Sequence, residues 1–118
     1  MTFLCLVLLG MTAEQLKGHL DPLVLAILEH GPAHGYAIID ALRERSDGAF
    51  DLPEGTIYPA LHRLERAGTV TSRREVIGGR ERRVYRLSPK GRTALRERRA
   101  SWKDFSAAVN QVLRVSPA

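Results

Sequence analysis

The chain has 118 residues, with 18 Lys and Arg against 13 Asp and Glu, a net charge of +5 and a pI of about 10.0. That length bounds it to one domain with a modest core, in which burial between subunits would contribute much of the stability, and the basic balance points to an acidic polymer as partner. A single cysteine, Cys5, excludes an internal disulfide framework and suits a reducing cytoplasm.

Residues 1–10, MTFLCLVLLG, are apolar but lack a basic leading region, and they fall well short of the ~20 helical residues that cross a bilayer. They make a poor signal peptide and a poor anchor. Met11-Thr12-Ala13-Glu14 reads as a natural start, so translation is expected to begin at Met11, with residues 1–10 an extension of the reading frame. An intact Met1 or Thr2 terminus on the native protein would overturn this. Kept in place, the ten residues would extend the first helix and pack on a dimer.

Residues 12–20 predict a helix with Thr12 as its cap, Gln15 completing a capping box, and Leu16 and Leu20 on one side. Gly18 weakens it. Leu20 to Leu28, LDPLVLAIL, reads as a short buried helix stopped by Gly31-Pro32. A second helix is expected from Gly35 to Arg45, with Tyr36, Ile39 and Leu42 at helical spacing. His30 and His34 have the separation of a metal pair on a continuous helix, but Gly31-Pro32 breaks the helix between them and no cysteine pair accompanies them. No metal site is expected.

Asp51 to Thr69, DLPEGTIYPALHRLERAGT, carries Ile57, Leu61 and Leu64, with Ala60 and Ala67 alongside, on one face, and Gly68 closes it as a C-terminal cap. The opposite face, Thr56, Tyr58, His62, Arg63 and Arg66, suits either solvent or the floor of a major groove. Pro59 is awkward inside a helix, which should therefore start near Glu54 or Gly55 or be loosely wound in its first turns. Two short helices, a loop and this helix make a helix-turn-helix arrangement.

A hairpin follows, with strands expected over Val70–Val76 and Arg82–Leu87 and the glycines of a tight turn between them. Tyr85 and Leu87 should share one face, Val84 and Arg86 the other. Between Thr69 and Arg92 lie eight Lys or Arg, Arg73, Arg80 and Arg82 among them, against two Glu. This surplus of six exceeds the charge of the whole chain, whose remainder is slightly acidic. Such concentration is a footprint of phosphate binding. Charge also protects an exposed sheet edge from aggregation, although mixed signs would serve that purpose equally well.

From Ser88, with Pro89 at the first helical position, the chain runs to Val115 without a convincing breaker. Leu95, Trp102 and Val109 recur every seven residues, with Phe105 and Val112 three positions after the last two. That is the seam of a coiled coil, interrupted where Arg98 stands and too short to hold alone. Trp102 reads either as an interface anchor or, with Phe105, as the lining of a cavity for a flat apolar effector.

The fold class expected is mostly α with a small β-hairpin, a winged helix-turn-helix plus a long C-terminal helix. Residues 1–10 are an extension, 11–88 the winged domain and 89–118 the dimerisation helix. The glycines Gly78-Gly79 lie between strands and match no P-loop or dinucleotide-binding pattern. No catalytic group and no cofactor are expected, and an enzyme is the remotest class.

Three ordered segments carry a resemblance: TAEQLKGHLDPLVLAILEHGPAHGYAIIDAL over residues 12–42, GTIYPALHRLE over 55–65, and VYRLSPKG over 84–91. Together they resemble the PadR family of bacterial transcriptional regulators, specifically its compact subgroup with a single C-terminal helix. The resemblance implies a homodimeric, operator-binding regulator, most often a repressor, relieved in some members by a small aromatic or amphipathic effector. It carries His34, Tyr36, Thr56, Tyr58, His62 and Arg63 over as DNA-facing or DNA-supporting positions, with Arg80 and Arg82 at the wing. Leu16, Leu20, Leu95, Trp102, Phe105, Val109 and Val112 are the expected dimer contacts. A winged-helix module that binds protein instead of an operator is the alternative; it should lose the basic surplus and gain an apolar patch.

Overall fold

The computed structural model describes residue 16 and residues 18–116. The expected start at Met11 and the capping box at Thr12 lie outside the described residues. Seven elements follow in chain order: α1 (Leu20–Leu28), β1 (Ala33–His34), α2 (Gly35–Arg45), α3 (Glu54–Arg66), β2 (Val70–Ile77), β3 (Arg80–Leu87) and α4 (Pro89–Leu113).

Each helix begins and ends for a local reason. α1 stops as His30 and Gly31 donate to the carbonyls of Ile27 and Leu28 in tightening turns before Pro32. α2 is capped by a side chain the sequence does not advertise: Nδ1 of His34 accepts the Ala37 amide at 3.2 Å. At its other end the Ser46 hydroxyl donates to the Leu42 carbonyl at 2.6 Å and accepts from the Phe50 amide at 2.9 Å, turning the chain toward α3. α3 starts at Glu54, as expected, so that Pro59 falls in its second turn on the exposed side. It ends in a Schellman motif, with Gly68 at φ +81° and the amides of Gly68 and Thr69 donating to the carbonyls of Glu65 and Leu64.

The sheet has strand order β1-β3-β2, all antiparallel. The hairpin ladder is longer than expected, pairing Val70 with Leu87 through to Ile77 with Arg80. Only Gly78 and Gly79 remain for the turn, at φ +59° and +77°, the left-handed pair that matches the twist of a two-residue hairpin. β1 was not foreseen. Its two residues sit opposite Tyr85 and Val84 and bring the start of α2 against β3.

One core joins the layers. Val24, Leu25 and Leu28 of α1, Ile38 and Leu42 of α2, and Ile57, Ala60, Leu61 and Leu64 of α3 meet Val70 and Tyr85 of the sheet and Leu95 of α4. Tyr85 and Leu87 face this core together, as period-two alternation requires. Close backbone approach fixes where α4 departs: a Cβ on Gly91 would collide with the Thr69 carbonyl oxygen and crowd Leu87. Beyond Leu95 the residues of this 25-residue helix are exposed or half-buried.

Candidate nucleic-acid interface

The outer face of α3 presents Pro59, His62, Arg63 and Arg66 to solvent around an open depression of about 770 Å³. This face exists because the stripe Ile57, Ala60, Leu61 and Leu64 consumes the other side. Arg63 is engaged: its guanidinium donates to the Asp21 carboxylate in the first turn of α1 at 2.9 Å. Thr56 is half-buried near the start of the helix. Tyr58 does not lie on the outer face. Its ring turns toward α2, where it occupies the space that any side chain on Gly35 would need.

Tyr36 ties together three elements at the neighbouring corner. Its hydroxyl donates to Glu54 at the start of α3 at 3.1 Å, and the Arg82 guanidinium of β3 lies 6.0 Å from its ring centroid. His34, Tyr58 and Arg80 complete a notch of about 270 Å³ between α2, α3 and the wing. Burial pushes the Tyr58 phenol above its ordinary value, the neighbouring Tyr36 and Glu54 add to the effect, and Arg82 partly offsets it. Tyr58 therefore stands here as a neutral donor. His34 serves the notch from behind as the cap of α2, a supporting position rather than an exposed one.

The wing sorts its cations by register. Arg86 pairs with Glu75 at 2.7 Å, Arg74 with Glu81 at 3.5 Å, and Arg73 reaches Glu75 only at 3.6 Å. Among the described residues Arg80, Arg82 and Arg83 have no carboxylate partner, although Arg83 donates to the Ser72 hydroxyl at 3.0 Å. These three flank the notch beside α3. Arg83 stands directly across the ladder from Arg74, and the two differ in their partners, Arg74 meeting a carboxylate and Arg83 a hydroxyl, which the sequence does not reveal. Val76 and Ile77 are exposed near the wing tip, on opposite faces of the strand.

The residues expected at a dimer contact divide into two groups. Leu20 and Leu95 lie in the core of the single chain, and Leu16 is buried as well. Trp102, Phe105 and Val112 are exposed and Val109 is half-buried. Trp102 meets the edge of His19 at 5.5 Å and lies 6.0 Å from Phe105, ring centre to ring centre. No helix among the described residues is long and apolar enough to cross a membrane.

Residues 24–97 match the family model described as the Transcriptional regulator PadR-like family. The chain belongs to this family. PadR-like proteins are DNA-binding transcriptional regulators, not enzymes. Over 67 residues this PadR-like chain is 43% identical to Transcriptional regulator Rv3488 of Mycobacterium tuberculosis, a match that takes in 57% of the chain and 63% of that relative's length. Its fold is similar to that of a PadR family transcription regulator from Clostridium difficile, with 34% identity, a TM-score of 0.74, and 81% and 99% of the two chains covered. It is likewise similar to a PadR-like transcriptional regulator from Bacillus cereus, at 28% identity and a TM-score of 0.77, over 88% and 100% of the two chains. These solved PadR-like chains share the winged helix-turn-helix and the long terminal helix.

Proposed function

We propose that this PadR-like protein is a homodimeric, sequence-specific repressor of the cytoplasm. In this reading α3 enters the major groove with His62, Arg63 and Arg66, while Arg80, Arg82 and Arg83 hold the flanking phosphates or minor groove. Tyr36 and Thr56 support the backbone contact. The second subunit docks on the stripe Trp102, Phe105, Val109 and Val112, and a flat aromatic or amphipathic effector stacks on Trp102 and Phe105 in a cavity between the subunits to release the operator.

The observation that carries the reading is the position of the wing's arginines. Three guanidinium groups without carboxylate partners line the notch where α2, α3 and the wing meet, so the charge needed to displace condensed counterions lies next to the helix able to read base edges. A fluorescence-anisotropy titration against the DNA upstream of its own gene and a shuffled control, at two salt concentrations, tests it. Preference of ~10³-fold or more for the upstream DNA, falling steeply with salt, is the expected result. Absence of binding at low salt would favour a module that recognises another protein.

A further inference from the structure

One stripe of α4 faces the domain, and its chemistry changes half-way along. Gly91, Ala94 and Leu95 pack on the core, and the positions that continue the same stripe, three, four and seven residues past Leu95, are Arg98, Arg99 and Trp102. Arg98 donates to the carbonyl of Gly18, just before α1. Arg99 forks onto Glu29, the residue that caps the other end of α1, with its two terminal nitrogens 3.0 and 2.8 Å from the two carboxylate oxygens. Adjacent residues of α4 thus grip both ends of a nine-residue helix, about 13 Å apart at 1.5 Å per residue. The charged residue that interrupts the apparent coiled-coil seam is one half of this grip.

From this arrangement we infer that Arg98 and Arg99 are positioning residues: a two-point clamp that fixes the angle of α4 on the DNA-reading domain and thereby the separation of the two α3 helices in the dimer. The inference rests on the dimeric operator reading proposed above. Without the clamp, α4 would be held only by the packing of Gly91 to Leu95 and the edge contact of Trp102 with His19, and could pivot about Leu95. Val112 lies ~25 Å further along the helix, so a tilt of roughly 10° at the pivot would move the dimer contact by about 4 Å, more than the rise of one base pair. Apolar packing would resist such a pivot weakly because it has no direction, whereas a bidentate guanidinium–carboxylate pair fixes both distance and plane. Both partners are substantially exposed, where ion pairs add little to folding stability, so geometry is what this pair supplies. The Glu29 carboxyl is held below its ordinary range by its hydrogen bond from Arg99, and the pair is therefore formed at neutral pH.

The test is a spin-label distance measurement between Glu44→Cys on α2 and Gln111→Cys on α4 in a Cys5→Ser background, with labelled chain diluted in unlabelled chain so that only the intrachain distance is read. A narrow distribution is expected for the clamped chain, and one intermediate in width for Arg99→Lys, which keeps the charge but not the planar fork. A broadened or shifted one is expected for Glu29→Gln and for Arg98→Ala/Arg99→Ala, with melting temperatures changed little. On DNA, inserting one or two base pairs between half-sites should weaken the clamped protein ~10-fold or more, while Glu29→Gln should respond several-fold less with unchanged binding to random DNA. Identical distance distributions for Glu29→Gln and the clamped chain would overturn the inference. Sedimentation velocity separates the two failures: a monomer would defeat the dimeric reading, while the intrachain distances would still decide whether the arginines hold the helix.

Discussion

The Tyr58 phenol ring fills the space into which a Cβ on Gly35 would project. Any side chain at the first residue of α2 would therefore displace the Tyr58 ring. Gly35→Ala is expected to cost about 1–3 kcal/mol, the usual range for forcing an extra methyl into a packed contact. At roughly 4–8 °C per kcal/mol the loss is visible in a thermal melt, and Tyr58→Leu in the same chain should restore part of it. A Gly35→Ala melt like that of the parent would mean that the contact is slack.

Gly91→Ala should be worse. Its Cβ would meet a backbone oxygen, that of Thr69, as well as the Leu87 side chain, and a backbone atom held by the Ser88 amide cannot swing aside as a phenol can. The expected loss exceeds that of Gly35→Ala and approaches ~3 kcal/mol or more by urea unfolding.

Asp21→Asn should strengthen DNA binding. The carboxylate holds Arg63 at 2.9 Å, and removing its charge frees a cation on the face of α3. The slope of log affinity against log salt is expected to steepen by up to about one unit. An unchanged slope would show that Arg63 never reaches a phosphate.

Arg80→Ala and His62→Ala should fail differently. Arg80 stands at the end of the wing turn among the unpaired cations, so its loss should weaken binding to every sequence and make the salt slope shallower by about one unit. His62 is exposed on α3, and its loss should change the preference among sequences by ~1–3 kcal/mol. Equal losses on specific and random DNA for both would argue against groove reading by α3.

Most of the fold was legible because its punctuation is local. Gly31-Pro32, the Gly68 cap and Ser88-Pro89 mark helix boundaries that the structure keeps, and the exposed position of Pro59 explains why α3 tolerates it. What stayed hidden depends on partners distant in sequence. β1 is two residues with no alternation to detect, and it exists because Val84 and Tyr85 lie beside it. The hairpin turn is tighter than expected because Ile77 pairs with Arg80, which residue types alone do not dictate. Asp21 finds Arg63 across 42 residues, and Glu29 finds Arg99 across 70. In the seven-residue recurrence of Leu95, Trp102 and Val109, Leu95 serves the chain's own core while Trp102 stays exposed, a division the spacing does not reveal.

Alkaline conditions should unfold the domain through its buried phenols. Burial raises the Tyr85 hydroxyl above its ordinary value, with Glu65 and Tyr58 adding to the effect and Arg83 partly offsetting it; Tyr58 is raised chiefly by burial as well. A folded-state value above the unfolded one gives stability that is complete below the ordinary tyrosine range and is lost as pH rises through the raised value. Phenolate absorbance from these two residues should therefore appear together with loss of helical circular dichroism. Phenolates that form while the helices remain intact would contradict this coupling, and Tyr85→Phe should move unfolding to higher pH.

Ser88 takes part in more than the cap of α4. Its hydroxyl accepts the Gly91 amide at 3.0 Å while donating to the Gly68 carbonyl at 2.6 Å, and its own amide donates to Thr69 at 3.0 Å. The last turn of α3, the root of the wing and the first turn of α4 therefore meet at one residue. In mechanical terms Ser88 is a shared joint: a displacement of the first turn of the 25-residue α4 is passed to the C-terminal end of α3 and the root of the wing with almost no intervening chain to absorb it.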